Sequence, residues 1–257
     1  YIVSKNDEFF GEYIPDYKDR LKYISNFSGS YGFAIILKEK NFLFVDGRYT
    51  LQATKESGRY FKVKTFPNEL PKDVFNNKIL KIGFDPKLCT KKFLYFFFKK
   101  TNCKFISLNN NLIDSIWKRK KRETKKKFYV LPEESVGRNY KFKIKKIVSN
   151  LKKKQADFQL ITASENNAWL LNIRGNDSRY TPIPYSYILI DQKKNINFFG
   201  NLKKISPAFK RKFNKVKFID INSTIKILLK IKKKKIIIDD TTCSIFFENI
   251  ILKNNKI

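Results

Sequence analysis

Few side chains in this sequence can do covalent chemistry. There is no histidine among its 257 residues. That removes Ser-His-Asp and Cys-His catalysis, and any histidine-containing metal site, from these residues. The cysteines are Cys89, Cys103 and Cys243, an odd number with no C-x-x-C spacing. They build neither a disulfide framework nor a thiolate zinc site, and they fit a reducing, cytoplasmic setting. What remains for recognition is arginine placed in turns. Asp46-Gly47-Arg48-Tyr49 follows an apolar segment, and Asn172-Ile173-Arg174-Gly175-Asn176-Asp177 sets Arg174 close to Asp177. The planar guanidinium fork of Arg48 suits carboxylates and carbonyls. An architectural reading of the same turn stands beside it: Asp46 caps the following helix, Arg48 pairs with a nearby acid and Tyr49 enters the core. Arg174 and Asp177 read as a structural ion pair at a turn, and Trp117 and Trp169 as core aromatics.

These turns need elements to hold them. Residues 23–27 are a short apolar run, and Ser28, Gly29, Ser30 and Gly32 are a turn cluster. Residues 33–37 read as a buried strand, 38–41 as a polar hairpin connection and 42–45 as the return strand. Asp46-Gly47 breaks that strand, and residues 48–56 can form a helix. Residues 1–3, 60–66, 78–84 and 103–108 read as further strands, 16–22 as a short helix-like link, and 68–77 as loop or short helix. Thr90 is placed to N-cap a helix running to Lys100. Residues 109–117 lead out of the first half. Residues 118–127, KRKKRETKKK, read as a solvated linker.

The second half repeats the plan. An amphipathic helix over 140–154 precedes a strand over 157–162 and a capping segment at Ser164-Glu165-Asn166-Asn167. Strands follow over 185–190, 196–199, 216–221 and 235–239. A polar, basic helix region covers 203–217 and a short helix 223–230. Asp240-Thr241-Thr242 is expected to start a helix through Leu252. AWLLNIRG at 168–175 parallels KYISNFSG at 22–29, a weak repeat with a spacing of about 146 residues that indicates a duplicated α/β domain.

Composition narrows the function. Apolar residues make up 42% of the chain and include 25 Phe, enough for real cores, and the length suits one large domain or two ordinary ones. No apolar run reaches the roughly 18–20 residues of a membrane span. The chain lacks methionine and opens on what reads as a strand already under way, so it is expected to be part of a longer frame. Lys and Arg number 55 against 23 Asp and Glu, a net charge of +32. The basic clusters at 118–127, 141–146, 152–154 and 230–235 are spread along the chain. Lysine is abundant together with Ile, Asn and Phe, whose codons are all A/T-rich. A nucleotide bias accounts for all four, whereas nucleic-acid binding accounts only for lysine. Weak, salt-sensitive binding is expected of such a surface; a specific nucleic-acid role is not.

FSGSYGFAIIL at 27–37 followed by LFVDGRYTLQA at 43–53 resembles the N-terminal domain of Xaa-Pro aminopeptidases, in the creatinase (pita-bread) metallopeptidase family. IGFDP at 82–86, NLIDSIW at 111–117 and NIRGNDSRYTPIPYSY at 172–187 are similar to further segments of that family. Phe9-Phe10 and Tyr180 stand where relatives often carry His. The resemblance implies an α/β fold of two tandem creatinase N-terminal-like domains, each a mixed β-sheet flanked by helices in a ribonuclease H-like motif. Domain I would cover 1–117, a basic linker 118–127, and domain II 128–257 with its C-terminal end cut short. The catalytic pita-bread domain would be absent from this segment. There, two divalent ions, manganese, would sit on two Asp, one His and two Glu. No catalytic residue or metal ligand is then expected among these residues, and no peptidase activity from the segment alone. Its implied role is to shape access for short peptides with Pro at the second position and to support assembly, as a homodimer formed through the catalytic domain. Arg48 is the residue implied to meet substrate. Two alternatives stay open: a stand-alone, non-catalytic binding module, and a basic nucleic-acid-binding protein.

Overall fold

The computed structural model describes residues 1–75, 78–119 and 124–257. The chain divides into two compact units, Tyr1–Glu8 with Ile14–Arg122, and Phe9–Tyr13 with Glu123–Ile257. Part of the 118–127 charge run therefore lies outside the described residues.

The first unit runs β1 (Ile2–Ser4), α1 (Arg20–Ser25), β2 (Gly32–Ile36), β3 (Asn41–Asp46), α2 (Thr50–Ser57), β4 (Lys62–Phe66), α3 (Pro71–Phe75), β5 (Lys81–Phe84), α4 (Lys91–Phe98), β6 (Lys104–Ser107) and α5 (Leu112–Ile116). Its sheet has the order β4-β3-β2-β1-β5-β6. The β1–β2 and β2–β3 pairs are antiparallel and the others parallel. Central strands covered on both faces need continuous apolar sequence rather than alternation. Ala34, Leu43 and Val45 pack with Leu21, Phe27 and Ala53 on one face. On the other, Phe33 stacks on Phe44 at 4.9 Å and meets Phe93 and Phe97 of α4.

The second unit runs β7 (Tyr129–Val130), α6 (Tyr140–Lys153), β8 (Phe158–Ile161), α7 (Ser164–Leu171), β9 (Ile173–Arg174), β10 (Ser186–Asp191), β11 (Ile196–Gly200), α8 (Pro207–Arg211), β12 (Val216–Asp220), α9 (Thr224–Lys230), β13 (Ile236–Ile237) and α10 (Ile245–Leu252). Its main sheet is ordered β12-β11-β10-β8-β13, beside a two-stranded β7-β9 ladder. Ile144 and Val148 of α6 pack on Ile188, Ile190 and Phe198. Phe247 and Ile251 of α10 pack with Leu160, Leu189 and Phe199. Phe9 belongs here too, stacked 4.3 Å from Tyr185 and 5.2 Å from Tyr187.

Several elements differ from the sequence expectation, each for a local reason. Tyr23 is not part of a separate apolar run but lies inside α1, which stops at Asn26 in the left-handed region, φ 60°. Asn172 ends α7 the same way, φ 55°. Asparagine tolerates that conformation better than other side chains, which explains why it recurs at equivalent places. Ser164 does not cap α7 but lies within it. Its hydroxyl is buried and exchanges hydrogen bonds with the Ser186 backbone. The last strand shortens to Ile236–Ile237. Helix α10 starts at Ile245 rather than near Asp240: the Asp239 carboxylate holds the Thr241 N–H and hydroxyl in a turn, and Ser244 caps the helix. The basic region over 203–217 is not one helix: it holds the end of a 3-10 turn (Leu202–Lys204), the short α8 capped by Ser206, and the first residues of β12. Trp169 is not a core residue. Ala168, Leu170 and Leu171 turn inward from α7, and the indole is left 62% exposed, with the Lys143 ammonium 4.1 Å from its ring centroid.

Thr90 is found as expected, accepting from the Phe93 N–H at 3.0 Å to cap α4. Thr90→Ala is expected to cost about 1 kcal/mol, read as a lower urea midpoint at unchanged slope.

Candidate functional site

Arg48 stands at the end of β3, where the chain leaves the sheet through a single 3-10 turn, Gly47–Tyr49, before α2 begins. Asp46 makes that turn. Its Oδ1 accepts from the Arg48 N–H at 3.0 Å. The same carboxylate takes the guanidinium in a bidentate grip, Nε to Oδ1 at 3.1 Å and Nη2 to Oδ2 at 2.7 Å. These bonds hold the Asp46 carboxyl below its ordinary value against a smaller upward push from burial. The Arg48 side chain remains 72% exposed and stacks 5.2 Å from the Tyr49 ring. The acid that pairs with Arg48 is thus the one that caps its own turn.

The floor of the turn is built by close approach. A Cβ on Gly29 would stand 2.3 Å from the Phe27 ring and 2.9 Å from Tyr49, and one on Gly32 would stand 2.8 Å from the Phe44 carbonyl oxygen. Tyr49 is half-buried against Phe27, and its hydroxyl shares a 2.9 Å hydrogen bond with Ser30. Thr50 and Thr65 join α2 to β4 through their hydroxyls at 2.8 Å. Tyr31, 47% exposed, lies edge-on to Phe66 at 5.7 Å. Burial and the Asp46 charge raise its phenol above the ordinary value. The result is a fixed, exposed cation beside an exposed aromatic wall. It is chemistry suited to binding a carboxylate or carbonyl, not to breaking a bond. Tyr31 was not singled out from the sequence; the signal available was an aromatic residue held between Ser30 and Gly32.

The second turn is arranged differently from the expected pair. Arg174 does not bond Asp177; its guanidinium donates to the carbonyls of Ala168 and Ile173, at 3.3 and 2.9 Å. Asp177 is buried, pairs with the ammonium of Lys204 and accepts from the Tyr185 N–H at 2.8 Å. Lys143 adds donors to the Trp169 carbonyl at 2.6 Å and the Asn172 Oδ1 at 2.5 Å. Arg174 and Lys143 therefore both set a cation on carbonyls at the C-terminal end of α7, where positive charge is favoured. Burial, and secondarily Arg174, lowers the Lys143 ammonium from its ordinary value.

A partly buried ionic cluster in the first unit is also not apparent from residue spacing. Lys5 pairs with Asp19 at 2.6 Å, and Lys18 with Glu8 at 2.6 Å. Arg20 grips Asp114 through two 2.8 Å bonds and reaches Glu8 at 3.1 Å. These residues tie the chain around β1 and α1 to α5, with Lys5, Asp19 and Arg20 buried and Glu8 and Asp114 partly exposed, so they are architecture. Cys89 is equally inert. Burial pushes its thiol up to about 12, leaving it protonated at neutral pH.

Among the described residues no three His, Cys, Asp or Glu side chains converge to hold a metal ion. A two-metal centre does not fit the described residues. No described helix is long and apolar enough to cross a membrane.

Two mixed α/β units whose sheets share the order of five equivalent strands define a tandem creatinase-type scaffold, and comparison with known proteins agrees. Models of the creatinase/prolidase N-terminal domain match residues 3–116 and 118–257. The chain belongs to the creatinase/prolidase N-terminal domain family. It is 32% identical over 229 residues to Xaa-Pro aminopeptidase 1 of Dictyostelium discoideum, covering 82% of this chain and 36% of that protein. It is 30% identical to Xaa-Pro aminopeptidase app-1 of Caenorhabditis elegans, covering 84% of this chain and 36% of that one. The crystal structure of the C. elegans X-prolyl aminopeptidase, a cytosolic enzyme with a di-nuclear active site, superposes with a TM-score of 0.81 at 27% identity, over 89% of this chain and 39% of its own. The chain thus spans little more than a third of the relatives it matches and corresponds to their creatinase-like N-terminal region.

Proposed function

We propose that this chain is the non-catalytic N-terminal region of a Xaa-Pro aminopeptidase, a metal-dependent exopeptidase that removes the residue preceding proline. The observation that carries this reading is the pair of family matches, one to each half of the chain, joined to the likeness in fold to an X-prolyl aminopeptidase. The region is organised as domain I over 1–117, a linker over 118–127 and domain II over 128–257. It cleaves no peptide alone. Two manganese ions and the catalytic residues belong to a pita-bread domain outside it, and homodimers form through that domain. The region narrows the entrance so that short peptides with Pro at the second position are admitted, and Arg48 offers its guanidinium to the peptide. The enzyme works in the cytoplasm.

The exposed fork of Arg48, fixed by Asp46 rather than buried with it, supports a recognition role. The test is hydrolysis of a Xaa-Pro bond by the protein made from the complete reading frame, with and without a chelator. Activity that follows the metal and requires proline supports the proposal. Absence of hydrolysis with manganese supplied would leave a binding module in its place.

A further inference from the structure

An open cleft of about 590 Å³ lies within the second unit, bordered by β7 and the chain that follows it, the start of α6, the end of α7 and the residues after α8. Its size is that of a small-molecule site, about 300–1,000 Å³. Val130, Val136, Tyr140, Leu171 and Phe213 give it an apolar side. That side is held in shape. The Tyr140 ring lies 5.2 Å from that of Phe213, and its hydroxyl accepts from the Asn214 N–H at 3.3 Å. The Leu131 N–H donates to the Asn172 carbonyl at 2.9 Å, and Asn172 Nδ2 donates to the Arg138 carbonyl at 3.0 Å. Asn172, the left-handed residue that closes α7, thus ties the chain after β7 to the chain before α6.

The other side is cationic. Arg138 and Lys212 line the cleft and are exposed. Among the described residues neither is held by a carboxylate. The Arg138 guanidinium lies 5.1 Å from the Phe142 ring centroid, and the Lys146 ammonium 5.0 Å from the same ring. A guanidinium set against a ring still has its N–H groups free in its own plane. Glu133 is the acid in the lining, and Asn139 Nδ2 already holds its carboxylate at 3.1 Å. Residues 135–156 contain no Asp or Glu, so the charge is not balanced locally. Most exposed lysines of this chain stand on open, solvated surface. These two cations border an apolar hollow.

We propose that this cleft binds a small organic carboxylate, its apolar body against Leu171, Tyr140 and Phe213 and its carboxylate on Arg138 and Lys212. The fork of Arg138 matches the two carboxylate oxygens. The apolar side favours a singly charged headgroup over the more strongly hydrated phosphate. A free aliphatic or aromatic acid and the C-terminal residue of a peptide share this chemistry. This inference does not depend on peptidase activity.

Titration calorimetry on the protein from the complete reading frame tests it. The probe is phenylbutyrate, with the neutral chelator phenanthroline present so that no metal ion takes the carboxylate. The expected Kd is on the order of 0.1 mM, in keeping with a ligand of about a dozen heavy atoms. Phenylbutyramide, which keeps the body and loses the charge, should bind at least about 10-fold more weakly. Arg138→Ala and Lys212→Ala should each weaken phenylbutyrate about 10-fold. Their urea midpoints should not move, because both side chains are exposed. Lys152→Ala, which removes an exposed cation of α6 outside the cleft, should leave the Kd unchanged. Acetyl-Leu-Phe separates the two sources: tighter uptake than phenylbutyrate assigns the cleft to peptide C-termini, and weaker uptake assigns it to free acids. A Kd above about 1 mM, equal binding of acid and amide, displacement by inorganic phosphate, or a Kd unmoved by both cleft variants overturns the proposal. So does an equal loss in Lys152→Ala.

Discussion

Arg20→Ala is expected to lower the stability of the protein by about 1.5–3 kcal/mol, because it removes a buried guanidinium that holds two partly buried carboxylates by charge-assisted hydrogen bonds. Arg20 is 4% exposed and serves Asp114 and Glu8 at once. Burial alone would weaken its hold on a proton, but the Asp114 hydrogen bond and the Glu8 charge more than offset that and raise it further above its ordinary range. Glu8 shows the reciprocal effect. Burial pushes its carboxyl up, yet the charges of Lys18 and Arg20 outweigh it and bring the group down to about 2 from 4.5. The sign for stability follows. A carboxyl depressed in the folded state binds fewer protons there than in the unfolded chain. Its contribution is present above about pH 4.5 and is lost as the pH falls toward 2. Urea unfolding of the wild type should show that loss across this window, and Arg20→Ala should flatten it. An Arg20→Lys variant, which keeps charge but not the two-pronged grip, is expected to fall between them. Equal stability of all three at pH 7 would remove the cluster from the structural core of the first unit.

The second large effect is expected on activity rather than stability. Arg48 is exposed, and removing it leaves Asp46 able to cap the turn through the Arg48 backbone N–H. Arg48→Ala should therefore change stability by less than about 0.5 kcal/mol. If the guanidinium meets peptide, the same change lowers kcat/KM of the complete enzyme about 10-fold, the loss of one charge-assisted hydrogen bond. Asp46→Asn should not mimic it, because the fork would remain while its clamp loosens. A kcat/KM unchanged by Arg48→Ala would return the turn to a purely architectural role.

Much of the scaffold was legible in the sequence because each element carried a local cause. The Phe- and Ile-rich runs around Phe33 and Phe44, bounded by turn residues, read as buried strands. Thr90 announced its helix, and Asp46-Gly47 announced the end of β3. The repeat between Tyr23 and Trp169 was visible at the level of residue type, and its physical basis proved to be two helix ends closed by a left-handed Asn. What failed depended on contacts between distant residues. Trp169 looked like a core residue because large aromatics usually are, yet α7 turns it outward. Arg174 and Asp177 are close in sequence but find better partners in helix carbonyls and in Lys204. The pairing of Arg20 with Asp114 crosses most of the first unit, and no sequence spacing could reveal it. Phe9–Tyr13 joins the second unit through Tyr185, Tyr187 and Tyr180. No residue pattern around Phe9 announces that placement. For the candidate site, the place of Arg48 in the turn after β3 was legible, whereas its pairing with the capping carboxylate of Asp46, and the presence of Tyr31, emerged only once β2, β3 and β4 were aligned.

The most direct measurement is the hydrolysis of a short peptide with proline at its second position by the protein from the complete reading frame, beside the same peptide with alanine there. Release of the first residue from the proline peptide alone, lost on chelation and restored by manganese, is the expected result. Failure to release it with manganese present, or equal release from both peptides, would contradict the assignment of this chain to a Xaa-Pro aminopeptidase.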